Sequence, residues 1–390
     1  MSQRVAIVGI GQTRHSSRRP YQNDGEMINE AVNSALADAQ LSIKDIENVV
    51  IGNMDLFEGH YLNDTLLAGY TGVVGKSGMK MNTGGTVGTT NVISGWFNVA
   101  SGMCDTTLII GWEKHDEGNV TSAMITLWEP ALGRPFEVGA ISGLSMISNY
   151  YMTKTGCPLE VGAIVRAQAS DNAARNPNAH LRDRYTAEEV MAARMILYPL
   201  NLLMICPTSL GACAMVLAGE KAAKKISKRP VWIKDHATAH QVTRGAGEIA
   251  TGSNVKVDTS MTVTARKIFT RNHITKPMEE IQVMEMYDPC AFCQPCWLEE
   301  FGLCEDGQGW RLIEKGVTAR EGSFPVSPSG GVLCTNAIGD SGTLRVAEAA
   351  LQLREGAGEH QVTRKVKYAL ASGYGGFYYT DLFLLANTMD

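Results

Sequence analysis

The sequence predicts a layered α/β fold, and three observations support this. Short apolar runs that end in glycine, at residues 5–11, 49–52 and 106–111, are typical of strands buried inside a sheet. Segments with apolar residues at helical spacing follow them, as at residues 26–39 and 89–102. The third observation is the alternation itself, because strands that alternate with helices form layers of helix against sheet.

The first strand ends in a glycine pair that suggests a nucleotide-binding loop. Gly9 and Gly11 match the first two glycines of the dinucleotide fingerprint, but its third glycine would fall at Arg14. Pro20 also interrupts any immediate run into a helix. The pattern therefore argues against a Rossmann-type nucleotide site.

A glycine-rich stretch at residues 83–88 lies between a short predicted strand, residues 79–82, and the small-residue helix at residues 89–102. Small residues early in a helix allow a ligand to approach the backbone closely. The first N–H groups of a helix also lack acceptors within it. The helix start near Gly85 is therefore predicted to offer N–H groups to an oxyanion.

Helical patterns dominate the middle of the chain. Residues 117–200 contain candidate helices at residues 138–153 and 159–174, and we predict that this region is a mainly helical insertion. Strand patterns return at residues 212–217 and 231–234, so the sheet resumes after the insertion.

The C-terminal segment repeats an arrangement found near the N-terminus. It is predicted to hold a helix at residues 343–354 and two strands at residues 367–371 and 378–385. The turn between the strands is predicted at residues 372–376. A glycine-rich turn opens a helix that leads to an apolar strand at residues 84–111 and again at residues 339–371. This similarity suggests a duplicated α/β unit.

Three cysteines spaced Cys-x-x-Cys-x-x-Cys occupy residues 290–296, between a predicted strand and a short helix at residues 297–301. A thiol at a helix N-terminus lies beside free N–H groups, which stabilise the thiolate, and Cys290 is the best placed. One alternative is that these cysteines are small buried hydrophobic residues. Another is a zinc or iron–sulfur ligand run, although the next cysteine, Cys304, is eight residues further on.

Charge and composition restrict the class of protein. The net charge of −5 and the pI near 6.0 argue against nucleic acid as the main partner. The nine cysteines are read as reduced thiols of a cytoplasmic protein, since we find no secretory segment. No run approaches 18 uninterrupted apolar residues, so a soluble protein without membrane association is expected.

The order of these motifs resembles the thiolase superfamily over nearly the whole chain, and most closely the branch with sterol-carrier-type thiolases and lipid-transfer-type aldolases. The motifs that carry the resemblance are residues 8–11, 82–88, 108–113, 287–288, 330–331, 336–342 and 373–376. The resemblance implies a five-layered αβαβα fold of two similar halves, a dimer and an acyl-CoA substrate. Its domain boundaries would be residues 1–116 and 201–240 for the N-terminal half, 117–200 for the helical loop domain and 241–390 for the C-terminal half.

The chain departs from the family pattern at each catalytic position. Gly85 stands where a thiolase places its acylated cysteine, and Asn336 aligns with the histidine of the Gly-His-Pro motif. The acid/base cysteine of the terminal motif is replaced by Ala371, which leaves Ser372 as the nearest hydroxyl. Tyr287 stands at the histidine of the His-Asp-Cys-Phe motif.

One chemistry compatible with this pattern is thiolysis of a 3-oxoacyl-CoA by a relocated thiol, with CoA as co-substrate and no other cofactor or metal. Cys290 is the first candidate nucleophile and Cys334 the second, while Asn336 and backbone N–H groups near Gly85 and Tyr374 would stabilise the oxyanion. The chain also resembles the large subunits of thiolases that cleave benzoylsuccinyl-CoA in anaerobic aromatic degradation. Such thiolases work with a small subunit that carries a zinc ribbon and an OB fold.

Two alternatives stay open. In the first, Tyr287 deprotonates the hydroxyl of a 3-hydroxyacyl-CoA, and retro-aldol cleavage follows without a covalent intermediate; the lipid-transfer-type aldolases of this branch also lack the cysteine. In the second, the chain is a non-catalytic acyl-CoA or lipid-binding module, since fold does not imply function. Tyr287 would then be an ordinary half-buried tyrosine, and Asn336 a turn residue.

Overall fold

The computed structural model describes residues 3–59, 62–128, 130–131, 133–135, 139–241, 258–376 and 379–389. The strands are β1 Val5–Gln12, β2 Asn48–Gly52, β3 Ser77–Met81, β4 Thr106–Glu113, β5 Met195–Leu197, β6 Leu200–Asn201, β7 Gly211–Gly219, β8 Val231–His240, β9 Val283–Glu285, β10 Tyr368–Tyr374 and β11 Tyr379–Ala386. The helices are α1 Asp24–Ala39, α2 Asn63–Leu66, α3 Ala68–Thr71, α4 Val87–Ala100, α5 Val120–Ile125, α6 Ala140–Thr155, α7 Glu160–Arg175, α8 Ala187–Met191, α9 Glu220–Ile226, α10 Ser260–Arg271, α11 Pro277–Glu280, α12 Cys293–Glu300, α13 Gly309–Glu314, α14 Gly331–Cys334 and α15 Ile338–Leu353.

Nine strands form one sheet in the order β3-β2-β4-β7-β1-β8-β11-β10-β9. Reading outward from its centre, β1 pairs antiparallel with β7, β7 antiparallel with β4, and β4 parallel with β2. On the other side β8 pairs antiparallel with β11, β11 antiparallel with β10, and β10 parallel with β9. The same order on both sides, with α4 before β4 and α15 before β10, confirms the predicted duplication.

Alternation along the strands divides the core into layers. In the N-terminal half, Ala6 and Val8 pack in the cluster that contains α1, whereas Ile7 packs in the cluster shared by α4 and α15. In the C-terminal half, Leu385 faces that same central cluster, and Leu384 faces the cluster built on α7 and α10. Two sheet halves therefore separate three helical layers, which confirms the predicted five-layered αβαβα fold.

The central helices α4 and α15 cross with their backbones in contact. A Cβ added at Gly88 would lie 2.6 Å from the Thr343 nitrogen, and one at Gly342 would lie 2.5 Å from the Thr89 nitrogen. Glycine is therefore required at both crossing points, because any side chain would separate the helices. The first turns of α4 and α15 are thereby held side by side.

Two boundaries near the C-terminus differ from the prediction by more than one residue. Helix α15 begins at Ile338 rather than at Thr343, although glycines are poor helix formers. Packing overrides that preference, since a Cβ at Gly339 would lie 2.0 Å from the Trp112 carbonyl oxygen. Strand β10 continues to Tyr374, because its last residues pair with β11, so the predicted turn begins only at Gly375.

The predicted helical insertion contains α5 to α8 and the β5–β6 hairpin. Its assignment as a separate loop domain, with the boundaries given above, stays a prediction. Within the ranges that the structure describes, we find no helix with both the length and the apolar character needed to cross a membrane.

Candidate active site

The candidate site begins where the chain leaves β9. Because β9 and β10 are parallel, their C-terminal ends lie at the same edge of the sheet. There the backbone N–H of Tyr287 donates a hydrogen bond to the Ser372 hydroxyl at 2.9 Å. The rings of Tyr287 and Tyr374 lie 6.4 Å apart between centroids. The structure thus brings together three of the predicted site residues, all of them buried.

Gly85 lies against the end of β10. A Cβ at Gly85 would be 2.5 Å from the Tyr374 carbonyl oxygen, closer than real Cβ atoms approach. The space that a cysteine side chain would need at this position is therefore taken by backbone. The Tyr374 ring in turn packs on Trp297, with centroids 4.5 Å apart.

Asn336 lies just before α15 and makes contacts through both ends of its amide. Its Oδ1 accepts a hydrogen bond from the Ser341 hydroxyl at 3.0 Å, and its Nδ2 donates to Cys206 Sγ at 3.2 Å. Burial raises the pKa of Tyr287 well above its ordinary value, and a hydrogen bond with Ser341 opposes this rise. Ser341 therefore links Tyr287 to Asn336.

Cys206 was not among the residues predicted for the site. It is partly exposed, and its backbone N–H donates to the Pro289 carbonyl at 3.0 Å, so residues 205–206 run beside residues 289–290. Burial of the sulfur, and next the charge of Cys290, raise the pKa of the Cys206 thiol to about 12, while the hydrogen bond from Asn336 lowers it. Cys206 is therefore the thiol that contacts Asn336, one of the predicted site residues.

Cys290 was expected to lie at a helix N-terminus, but α12 begins three residues later, at Cys293. Cys290 Sγ lies 3.2 Å from Cys293 Sγ and 3.6 Å from the Ser148 hydroxyl, and both cysteines are fully buried. Burial alone would raise the pKa of Cys290, but hydrogen bonds with Cys293 and Ser148 outweigh it and lower that pKa. The lowered pKa therefore comes from side chains and the local backbone rather than from helix position.

Cys334 contacts a different set of groups. Its sulfur accepts a hydrogen bond from Arg166 Nη1 at 3.1 Å, and the same nitrogen donates to the Leu333 carbonyl at 2.7 Å. Burial raises the pKa of Cys334, and the guanidinium opposes this. Cys334, the second candidate nucleophile, therefore contacts Arg166, whereas Asn336 contacts Cys206.

A buried carboxylate holds the junction in place. Asp288 accepts hydrogen bonds from the Val332 backbone N–H at 2.8 Å and from Gln294 Nε2 at 2.7 Å. Burial raises its pKa to about 6, and these hydrogen bonds oppose the rise. Asp288 therefore ties α12 and α14 to the segment that carries Tyr287 and Cys290.

The cysteine run does not form a ligand cage in the structure. In the part of the chain that the structure describes, we find no group of three or more His, Cys, Asp or Glu side chains arranged to hold a metal ion.

Comparisons with known proteins identify the family. Residues 246–387 match the family model described as Thiolase C-terminal domain-like. Over 369 residues the chain is 30% identical to an acetyl-CoA acetyltransferase of Methanothermobacter thermautotrophicus, which covers 92% of this chain and 93% of that protein. The chain belongs to the thiolase family. As a member of this family it is an acyltransferase-type enzyme, which confirms the enzyme class predicted from the sequence.

Further relatives and solved structures agree with a thiolase fold. Human sterol carrier protein 2 is 26% identical over 97% of this chain and 72% of its own length. A structure titled Ltp2-ChsH2(DUF35) aldolase superposes with a TM-score of 0.84 at 23% identity, covering 99% of this chain and 98% of that chain. Human mitochondrial 3-ketoacyl-CoA thiolase superposes with a TM-score of 0.73 at 14% identity, with 99% of both chains covered.

Proposed function

We propose that this thiolase cleaves the bond between the α and β carbons of a 3-oxoacyl-CoA and transfers the acyl group to free CoA, with Cys206 as the nucleophile. The observation that supports this is the 3.2 Å hydrogen bond from Asn336 Nδ2 to Cys206 Sγ. It joins the thiol of a partly exposed residue to the asparagine that we align with the family's catalytic histidine. Cys206 thereby replaces Cys290 as our first candidate.

The reaction proceeds in two steps. The Cys206 thiolate attacks the β-carbonyl carbon, the carbon–carbon bond breaks, and its electron pair moves to the α carbon as an enolate, which takes up a proton. The thiol of CoA then attacks the enzyme thioester, the bond between the acyl carbon and the Cys206 sulfur breaks, and the CoA proton passes to Cys206, which is restored as a thiol. Asn336 and backbone N–H groups at the start of α4, near Gly85, stabilise the negative charge on oxygen.

A thiol with a pKa of about 12 needs a neighbouring group to accept its proton. Cys290 lies on the segment paired with that of Cys206, because residue 205 bridges to Cys290 and the Cys206 N–H donates to the Pro289 carbonyl, and its pKa is lowered. We therefore assign Cys290 as the base that takes the Cys206 proton and returns it to the α carbon. The two thiols would do the work of the two cysteines of the family.

Retro-aldol cleavage of a 3-hydroxyacyl-CoA is the second candidate, favoured by a separate observation. The Tyr374 carbonyl closes the usual nucleophile position at Gly85, and Ser341, which is bonded to Asn336, lies close enough to Tyr287 to lower its pKa. Tyr287 would then remove the β-hydroxyl proton, and the enolate would form at the same N–H groups. The solved aldolase whose fold this chain shares is consistent with this chemistry.

We propose that the substrate is benzoylsuccinyl-CoA. The enzyme would then act in aromatic degradation or in a related β-oxidation. The aldolase structure is titled as a complex with a DUF35 protein. By analogy we propose that this thiolase forms a homodimer that binds a small zinc-ribbon and OB-fold subunit in the cytoplasm. A non-catalytic acyl-CoA-binding module is the remaining possibility that the assay must exclude.

The test is cleavage of benzoylsuccinyl-CoA and a simple 3-oxoacyl-CoA by the chain together with its small subunit. We expect cleavage only when free CoA is added, a loss of at least about 100-fold in Cys206→Ser, and no change in Cys304→Ser, which lies outside the site. If a 3-hydroxyacyl-CoA is cleaved without CoA, and Tyr287→Phe abolishes that cleavage, then the enzyme is an aldolase and the thiolysis proposal is wrong. If neither substrate class is cleaved, the non-catalytic binding module is the hypothesis that stands.

A further inference from the structure

The sulfurs of Cys290 and Cys293 lie 3.2 Å apart, and both are free thiols. The backbone between them forms a turn, because the Cys293 N–H donates to the Cys290 carbonyl at 3.0 Å. The ends of such a turn lie less than about 7 Å apart between Cα atoms, within the range that disulfides span. A bond of about 2.0 Å between the sulfurs therefore needs a side-chain shift of only about 1 Å.

We infer that Cys290 and Cys293 are a modification site: they form a reversible intramolecular disulfide when the protein meets a small peroxide. The inference rests on the placement of the two sulfurs and is independent of the reaction proposed above. Ser148 holds the Cys290 sulfur in place at 3.6 Å, so the pair is oriented before the oxidant arrives.

The chemistry is balanced with hydrogen peroxide as the oxidant. The Cys290 sulfur attacks one peroxide oxygen, the O–O bond breaks, and the departing hydroxide takes up the Cys290 proton as water. The Cys293 sulfur then attacks the resulting sulfenic acid, whose hydroxyl leaves as a second water with the Cys293 proton. Two thiols and one peroxide thus give one disulfide and two waters.

Neighbouring cysteines are less suited to pair with Cys290. Cys206 is hydrogen-bonded to Asn336 at 3.2 Å, which holds its sulfur toward the active site. Cys296 lies three residues further along α12, and its N–H is bonded to the Phe292 carbonyl as part of the helix. Only Cys293 has its sulfur within 4 Å of the Cys290 sulfur among the described hydrogen-bond contacts.

Burial determines which oxidants can react. Cys290 and Cys293 are both 0% exposed, beneath the partly exposed segment that contains Cys206. A molecule the size of peroxide can penetrate such a layer during local opening, whereas an aromatic disulfide reagent cannot. Oxidation also converts Cys290 to a form that cannot accept a proton, and the expected loss of turnover, unlike the disulfide, rests on the proposed function.

The test treats the native protein with hydrogen peroxide, then maps disulfides by mass spectrometry under non-reducing conditions. We expect a mass lower by about 2 Da, two thiols fewer than the nine of the reduced chain, and a single linked pair at Cys290 and Cys293, all reversed by dithiothreitol. Cys304→Ser should form the same disulfide. Cys293→Ser should lose it and accumulate sulfenic or sulfinic acid at Cys290.

A bond between Cys206 and Cys290, or sulfinic acid at Cys290 in the unaltered protein without any disulfide, would overturn the inference. Mapping the unaltered protein keeps the test valid even if Cys293→Ser folds poorly. If the disulfide forms but turnover is unaffected, the modification site stands and the role of Cys290 as a base is wrong. The two proposals can therefore fail separately.

Discussion

The side-chain amide of Asn336 donates a hydrogen bond to the sulfur of Cys206, with 3.2 Å between nitrogen and sulfur. A donor to sulfur favours the thiolate, and this contact lowers the pKa of Cys206 against the effect of burial. Asparagine thus stabilises the charged sulfur without accepting a proton. In the proposed thiolysis the base must then lie elsewhere, and we propose Cys290 for that role.

Replacement of Asn336 by alanine should raise the pKa of Cys206 and lower turnover by roughly 100- to 1,000-fold, the usual effect of removing one such donor. The thiolate fraction at any pH below the new pKa then falls, so alkylation of Cys206 by iodoacetamide should slow. Peptide mass spectrometry across a pH series measures that rate. Asn33→Ala, which removes an exposed amide on α1, is the control. Unchanged alkylation and turnover in Asn336→Ala would contradict the role of Asn336.

Gly85 has no room for a side chain beside the end of β10. In Gly85→Ala the new Cβ would meet the Tyr374 carbonyl at 2.5 Å, so we expect a loss of about 1–3 kcal/mol in the free energy of unfolding. Gly69→Ala is the matched control, because Gly69 lies in α3 with no atom near its Cβ position. Urea denaturation measures both variants. Equal stabilities would mean that β10 moves away from Gly85 without cost.

Much of the fold could be predicted, because its signals are local. The apolar strands of β1, β2 and β4 and the helical spacing of α1 are properties of short segments. The repeated order of turn, helix and strand also indicated two halves. The start of α15 could not be found this way, since Gly339 and Gly342 weaken the helical pattern and are required there only because their neighbours leave no room for a side chain.

The candidate site residues were predicted from the resemblance to family motifs. Tyr287, Ser372 and Asn336 were chosen on that basis, and the structure brings them within a short chain of contacts. Cys206 stands in no recognised spacing with them, and it reaches Asn336 across 130 residues of sequence. Contacts over such separations depend on the assembled sheet, so propensity and periodicity carry no signal for them.

Asp381 makes stability depend on pH. It is buried on β11 and accepts hydrogen bonds from Thr89 at 2.8 Å and Thr90 at 3.2 Å, at the first turn of α4. Burial raises its pKa from 3.8 to about 6 despite these bonds. Between these values the folded protein keeps a proton that the unfolded chain has released, so stability falls as the pH rises through this window, by roughly 3 kcal/mol in all.

Asp381→Asn should remove this dependence, because asparagine keeps an acceptor for the threonines and carries no charge. We expect the variant to exceed the unaltered protein in stability at pH 7.5 and to match it near pH 4, measured by urea denaturation. Asp183→Asn, at an exposed carboxylate, is the control and should show no such crossover. A difference that is constant with pH would show that Asp381 titrates normally.

The ion pair of Arg345 and Glu285 lies next to the site. Of the buried contacts there, it should be the one whose loss lowers the free energy of unfolding most. Arg345 Nη1 lies 2.5 Å from Glu285 Oε2 and 2.8 Å from the Ser329 hydroxyl, with both charged side chains buried. Burial raises the pKa of Glu285 to about 7, and Arg345 opposes that rise. Removal of the guanidinium would leave the carboxylate without its counter-ion.

We therefore expect Arg345→Met to lose about 3–5 kcal/mol in the free energy of unfolding at pH 8. The loss should shrink near pH 5, because protonation of Glu285 then removes the uncompensated charge. The double variant Arg345→Met with Glu285→Gln should recover part of the loss at pH 8, since neither charge remains. Urea denaturation of the single and double variants at both pH values measures this coupling. An Arg345→Met loss that is equal at pH 5 and pH 8 would mean that the cost comes from packing around the side chain rather than from charge.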